Sequence, residues 1–195
     1  MNHSPTLRLR PATRQDAPFL ALALMEALGD DIMERIDAHS DTPADRERLQ
    51  RITALCLRDD TLYSWRHGTI AETADGLPAG ATIAYPGEGY HERRMLTFDL
   101  VKEHLHFDNQ AMEDETQAGE HYLDTLAVLP RHRGQGVAQA LLRHWLQQAQ
   151  AQALTATLAA HPENHRALRL YRSMGLQEAG HLHIFGEDYL RMARG

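Results

Sequence analysis

Hydrophobic and polar positions first alternate at Leu7-Arg8-Leu9-Arg10, which predicts a strand ended by Pro11. Asp16 stands where an N-cap belongs, ahead of an apolar stretch that predicts a helix to about Leu28, with Gly29 as its stop. Residues 31–38 read as a short second helix. Thr42-Pro43 combines an N-cap with a proline at the first helical position and opens a helix through about Leu57. Residues 62–73 and 79–85 predict two strands, with Asp75-Gly76 marking the turn between them. Residues 90–105 place Met95, Phe98, Val101 and Leu105 near helical spacing, and 108–119 read as an acidic loop.

The second half is patterned more strongly. Residues 122–128 form a mostly apolar run, as expected of a strand covered on both faces, and Pro130 closes it. Apolar residues at 137, 138, 141, 142, 145, 146 and 149 describe a buried helix face. A strand at 154–159 follows, then a helix at 164–174 with Gly175 as a left-handed terminator. Residues 182–185 and 188–192 are expected to form a closing hairpin around Gly186. This order of strand and helix gives an α/β class. With no internal repeat and no linker, one domain over 1–195 is the expectation.

Composition narrows the classes. The chain has 195 residues, 43% hydrophobic and 24% charged, which excludes disordered, collagen-like and solenoid readings. No apolar run approaches a membrane span, and the first residues lack the basic start and apolar run of a signal peptide. The single cysteine, Cys56, sits among apolar neighbours and forms no internal disulfide. These features lead us to expect a cytoplasmic protein. A formal charge of −7 argues against general nucleic-acid binding. Residues 87–120 hold nine acids against three bases. That segment is either a solvated loop or a negative rim that draws in a cationic molecule. Trp65 and Trp145 are core or interface residues, so a homodimer stays open.

The segment with the most chemical content is Arg131-His132-Arg133-Gly134-Gln135-Gly136, set between a strand and a long helix. Two glycines allow a tight turn and close approach of backbone to ligand. The amides that open the next helix lack intrahelical acceptors, and together with the helix dipole they suit a pyrophosphate. A nucleotide P-loop is excluded because Val137-Ala138 follows Gly136 where Lys-Ser/Thr is required. A dinucleotide fingerprint is excluded because Gln139 stands at its third glycine.

The run YLDTLAVLPRHRGQGVAQALL (122–142), followed by Asn164 and Tyr171-Arg172-Ser173-Met174-Gly175-Leu176, resembles the GNAT superfamily of acetyl-CoA-dependent acetyltransferases. The likeness covers about residues 120–177, and Arg10-Pro11-Ala12-Thr13 also fits. Residues 87–120 have no clear counterpart and are taken as a variable, acceptor-side insertion. The resemblance implies a mixed, mostly antiparallel sheet of six or seven strands flanked by helices. It implies acetyl-CoA as co-substrate, with its pyrophosphate on the amides of Arg133, Gly134, Gln135, Gly136, Val137 and Ala138. The pantetheine arm would pair with the backbone of Leu126 and Val128, beside a β-bulge that splays the strand from its neighbour. A backbone N–H near Val128 would stabilise the oxyanion. Asn164 matches a position that contacts the cofactor arm, and Tyr171 one whose hydroxyl protonates the departing thiolate.

The acceptor implied is a primary amine of a small molecule or peptide, attacking directly in a ternary complex. The amine must be neutral to attack, so a base is needed. Asp124 is a carboxylate in an otherwise apolar strand, where burial favours proton uptake. Glu120 and Tyr122 share its strand-face parity and could bind the acceptor or relay its proton, so the base stays open. The same fold could also hold an acyl-CoA as a non-catalytic sensor or interaction module. Of 13 histidines, His104/His106 and His181/His183 have i,i+2 spacing, but no HExxH pattern or partner cysteine supports a metal, and none is expected.

Overall fold

The computed structural model describes residues 7–29, 31–100, 102 and 112–195. Among the described residues seven strands hydrogen-bond in the order β1-β2-β3-β4-β5-β7-β6, flanked by six α-helices, which is the mixed sheet expected. The described residues group into two compact units. One contains the chain to Ile83 with Thr125–Leu141; the other contains Ala84–Asp124 with Leu142–Gly195.

In the first unit β1 (Arg8–Pro11) pairs antiparallel with β2 (Gly68–Glu72), and β2 pairs antiparallel with β3 (Pro78–Pro86). Between β1 and β2 run α1 (Ala17–Ala27), α2 (Ile32–Asp37) and α3 (Pro43–Cys56). Leu20, Ala21, Leu24 and Met25 of α1 and Ile32 and Met33 of α2 are buried. Thr42 caps α3 as expected: its hydroxyl accepts from the Asp45 amide (3.1 Å), and the Asp45 carboxylate accepts from the Thr42 amide (2.9 Å).

Asp16 stands at the N-cap position of α1 as expected, but its side chain makes no cap bond to that helix. It closes a single 3-10 turn, Arg14–Asp16, ahead of that helix. Its carboxylate accepts from the Thr13 amide (2.7 Å), the Thr13 hydroxyl (2.8 Å) and Arg10 (2.8 Å). The Thr13-x-x-Asp16 spacing therefore captured Asp16 before the helix could. The strand expected from residue 62 begins only at Gly68. Leu62 and Tyr63 are buried, but in a turn, where the Thr61 hydroxyl donates to the Leu55 carbonyl (2.9 Å) and Ser64 caps a 3-10 turn at Trp65–His67. Local side-chain bonds there compete with the ladder.

The second unit holds α4 (Tyr90–Asp99), the start of β4 (Glu120–Val128), β5 (Thr155–Ala160), α6 (His165–Ser173), β6 (Gln177–Ile184) and β7 (Glu187–Arg194). β4 and β5 pair in parallel through Glu120–Tyr122 and Thr155–Thr157, while β5 runs antiparallel to β7 as far as Ala160. The β6–β7 hairpin is longer than expected. The first five residues of β6 are exposed, so no apolar alternation marked them, and pairing with β7 alone makes them strand. α5 (Val137–Ala151), like β3 and β4, contributes residues to both units. α4 ends at Asp99; Val101, Leu105, His104, His106 and the first part of the expected acidic loop lie outside the described residues.

Gly87 sets the path of the segment that precedes β4. A Cβ at this residue would lie 2.1 Å from the Gln117 carbonyl oxygen, and its amide donates to the Glu120 carbonyl (2.9 Å). Only a glycine lets the two backbones meet this closely, and the approach brings Glu115 in beside the end of β3.

Candidate active site

The glycine loop leaves β4 through a 3-10 turn at Pro130–His132. Gly134 and Gly136 both have left-handed backbones, with φ of +74° and +84°. A Cβ at either would meet no described atom within 4 Å, so chain twist and not crowding selects glycine. Among the described residues, the first amide of α5 with a backbone acceptor is that of Ala140, on the Gly136 carbonyl (3.0 Å). The preceding amides open the helix without intrahelical partners, under the positive end of its dipole. This geometry fits an anion.

Arg133 departs from the expected role. Its amide donates to the Pro130 carbonyl (3.2 Å). Its guanidinium donates to Glu34, to Glu26 (2.7 Å) and to the Val128 carbonyl (3.1 Å). Arg133 thus braces the loop against α1 and α2, and its own amide is not among the free donors. The Val128 carbonyl is likewise engaged. The half-buried side chains of Leu126 and Val128 pack on Ala71, Ala79, Val137 and Leu141.

Asn164 and Tyr171 both belong to the second unit. Asn164 is the N-cap of α6, its side-chain oxygen accepting from the Ala167 amide (3.0 Å). The helix ends with the Leu176 amide on the Tyr171 carbonyl (3.1 Å) and the Gly175 amide on the Arg172 carbonyl (3.0 Å), the paired bonds of a left-handed stop at Gly175. Tyr171 is half-buried, and desolvation pushes its hydroxyl up to about 12. It therefore keeps its proton at neutral pH and is able to donate it.

The same unit gathers three tyrosines and two carboxylates. The Tyr85 hydroxyl donates to Asp124 (2.6 Å). The Tyr90 hydroxyl (2.8 Å) and the Tyr122 hydroxyl each donate to one oxygen of Glu115. The Tyr85 ring lies 6.3 Å from that of Tyr90 and 6.0 Å from that of Tyr122. Burial, reinforced by the Asp124 charge, pushes the Glu115 carboxyl up to about 7, against its two tyrosine donors and Arg94. Burial and the nearby carboxylates also hold Tyr85 and Tyr122 well above the usual phenol range, so both stay protonated donors.

Glu120 stands apart from this cluster in its bonding. One carboxylate oxygen accepts from Arg191 and Gln117 (3.1 Å); the other accepts from Thr116 (2.9 Å) and Thr157 (3.2 Å). Four donors from the preceding loop, β5 and β7 fill it. Next to it, His121 Nδ1 accepts from the Trp145 indole (3.0 Å), both buried.

Within the acidic segment, the run Glu113–Glu115 is engaged, while Glu88, Glu92 and Asp99 are exposed. Glu113 accepts from the His183 amide (2.6 Å), Asp114 pairs with the buried Arg94 (2.9 Å), and Glu115 is interior. Sequence reading assigned Glu115 to a charge run and singled out neither Tyr85 nor Tyr90. The available signal was modest: Tyr122 and Asp124 share strand parity, and Tyr85 ends a strand that could lie beside them. A groove of about 540 Å³ lined by Arg143, Gln150, Thr155, Met174 and Arg194, among others, holds none of the candidate residues.

Residues 35–176 match the profile of the Acetyltransferase (GNAT) family. No curated protein sequence matches significantly. An N-acetyltransferase from Staphylococcus aureus Mu50 superposes with a TM-score of 0.77 at 21% identity, covering 96% of this chain and 100% of that one. The ribosomal-protein-S18-alanine N-acetyltransferase from Escherichia coli gives 0.53 at 16% identity, over 96% and 92% of the two chains. A GCN5-related N-acetyltransferase from Kribbella flavida gives 0.56 at 17%, over 96% of each.

Proposed function

Because the chain belongs to the GNAT acetyltransferase family, we propose that it moves an acetyl group from acetyl-CoA to a primary amine of a small molecule or peptide, by direct attack in a ternary complex. The two units are then one acetyltransferase domain, since the family match draws on both. The amides of Gly134, Gln135, Gly136, Val137 and Ala138 hold the pyrophosphate, and Leu126, Val128 and Asn164 serve the cofactor arm. Arg133 contributes by bracing that loop. Acetyl-CoA supplies the activated acyl group; the residues of this chain orient it and move protons.

Asp124 takes a proton from the acceptor ammonium, leaving a neutral amine. Tyr85 holds the carboxylate in place through its 2.6 Å bond. The amine forms the new C–N bond as the C–S bond breaks, Tyr171 gives its proton to the departing thiolate, and the second proton lost by the nitrogen returns through solvent to the Tyr171 phenolate, leaving a neutral amide and a thiol. The observation that carries this reading is the tyrosine–carboxylate cluster at Asp124. A sensor that only holds acyl-CoA has no use for a buried acid such as Glu115, whose charge costs stability, whereas a perturbed carboxylate is characteristic of proton-handling sites. Glu120, filled by four donors, ties β4 to β5 and β7 and leaves the base role to Asp124.

With Glu113 bonded to the His183 amide, Asp114 paired with Arg94 and Glu115 buried, Asp124 becomes the group that would attract a cationic amine. Among the described residues no helix is long and apolar enough to cross a membrane. The single cysteine, Cys56, is buried, in keeping with action in a reducing cytoplasm. The test is thiol release from acetyl-CoA with a panel of primary amines, with mass detection of the acetylated product. Amine-dependent release, reduced in Tyr171→Phe, is expected. Acetyl-CoA binding with no release on any amine would move the protein to the sensor reading.

A further inference from the structure

The family reaction needs one base, yet the second unit sets two carboxylates, the buried Glu115 and the half-buried Asp124, among three tyrosines. Glu115 is 7% exposed, and both its oxygens are engaged by tyrosines. A structural role alone is a poor account of it. Two neutral tyrosine donors do not compensate a buried carboxylate as a bonded arginine does, and a second negative charge nearby adds repulsion. The neighbouring Glu120 shows the contrast, since it is buried to the same degree but neutralised by Arg191 and three further donors.

We propose that Glu115 is a positioning residue that shares one proton with Asp124 and so sets how basic the catalytic cluster is; this rests on the acetyltransferase reading above. The groups that face Glu115 come from every neighbouring element. Tyr85 comes from β3, Tyr90 and Arg94 from α4, Asp114 from the adjoining loop, Tyr122 and Asp124 from β4, and Tyr189 from β7. His91 contacts Asp114 (3.1 Å) and Arg94 (3.4 Å) at the edge of the group. Among the described residues Arg94 is the cation buried beside this group, and it pairs with Asp114 (2.9 Å).

The consequence follows from like-charge coupling. While Glu115 carries its proton, Asp124 bears the one negative charge of the pair and is the weaker base toward an ammonium. Once Glu115 ionises, the added charge raises the proton affinity of Asp124, as expected for two acids in one site. The acceptor nitrogen then loses one proton to the Asp124 oxygen, and the pair again holds one proton in total. That proton leaves to solvent after turnover. Activity therefore rises with pH as Glu115 ionises, with a midpoint near neutrality where burial has placed it.

The experiment is the pH profile of kcat/KM for wild type and Glu115→Gln with a saturating primary amine found in the acceptor screen. In wild type a rising limb near neutral pH is expected. In Glu115→Gln the limb should move at least one pH unit toward acid, with a plateau lowered about 10-fold or more, because the base is weaker. A folded Glu115→Gln that keeps the limb in place overturns the proposal, however much its rate falls. A reading that does not depend on turnover is an infrared titration of the carboxyl band in wild type and Tyr122→Phe. A carboxyl that ionises near neutrality, with its midpoint raised when the Tyr122 donor is removed, supports the proposal. No such titration overturns it. Absence of any acetyl transfer with an intact infrared titration would instead fault the acetyltransferase reading.

Discussion

Replacing Gly136 by aspartate separates what the loop does for binding from what it does for folding. Gly136 has φ of +84°, and a Cβ there meets no described atom within 4 Å, so only the backbone resists the change. The left-handed region costs a general L-residue about 1–2 kcal/mol, and less for Asp, whose short polar side chain tolerates it. A carboxylate just ahead of α5 regains roughly 0.3–1 kcal/mol from the helix dipole. The net loss of stability should therefore stay near 1 kcal/mol or below. Binding responds far more strongly. A carboxylate about 5 Å from one phosphate charge, at an effective dielectric of about 20, costs about 3 kcal/mol. At about 1.4 kcal/mol per decade this weakens acetyl-CoA binding more than 100-fold. Gly136→Ala carries the backbone strain without the charge and should lose much less. Calorimetric titration with acetyl-CoA, beside urea unfolding of each variant, reads both quantities. A folded Gly136→Asp that binds acetyl-CoA within about threefold of the parent would refute the anion-site reasoning.

Other perturbations test the second unit. Glu120→Ala leaves Arg191, Thr116 and Thr157 without their acceptor and should destabilise the fold by about 3–5 kcal/mol, read as a lower urea midpoint. Asp124→Asn should lower kcat by roughly 10²–10⁴, with a smaller loss in Tyr85→Phe, as measured by steady-state thiol release. Burial lowers the proton affinity of His121, which accepts from Trp145 in its neutral form. The unfolded chain therefore binds more protons below about pH 6.5, and stability present above that value is lost as pH falls. Urea midpoints across this range should show the slope in wild type and a flatter one in His121→Gln.

Legibility followed the physics of each segment. The face of α5 could be read because seven apolar residues repeat at helical spacing, and five of them are buried. The start of α3 could be read because Thr42-Pro43 and Asp45 form a local cap that needs no distant partner. Residues 62–67 were misread because an apolar run signals burial but not conformation, and hydroxyls at Thr61 and Ser64 selected a turn. The front of β6 was missed for the opposite reason, since exposed residues in a hairpin carry no periodic signal. Asp124 stood out as a lone charge in an apolar strand. Glu115 did not, because at sequence level it is one acid in a run of three.

What this sequence determined by itself is local and compositional: the class of fold, the helix caps, and a tight glycine loop ahead of a helix. The family likeness lay in the same contiguous residues. These depend on backbone conformation and nearest-neighbour bonding, which a few consecutive positions specify. Tertiary structure decided which charges became interior. It turned Arg133 onto Glu26 and Glu34, filled Glu120 with donors from other strands, and folded Glu115 back onto Tyr90 and Tyr122. Desolvation and long-range pairing set the chemistry of an ionisable group, and both are properties of the packed chain.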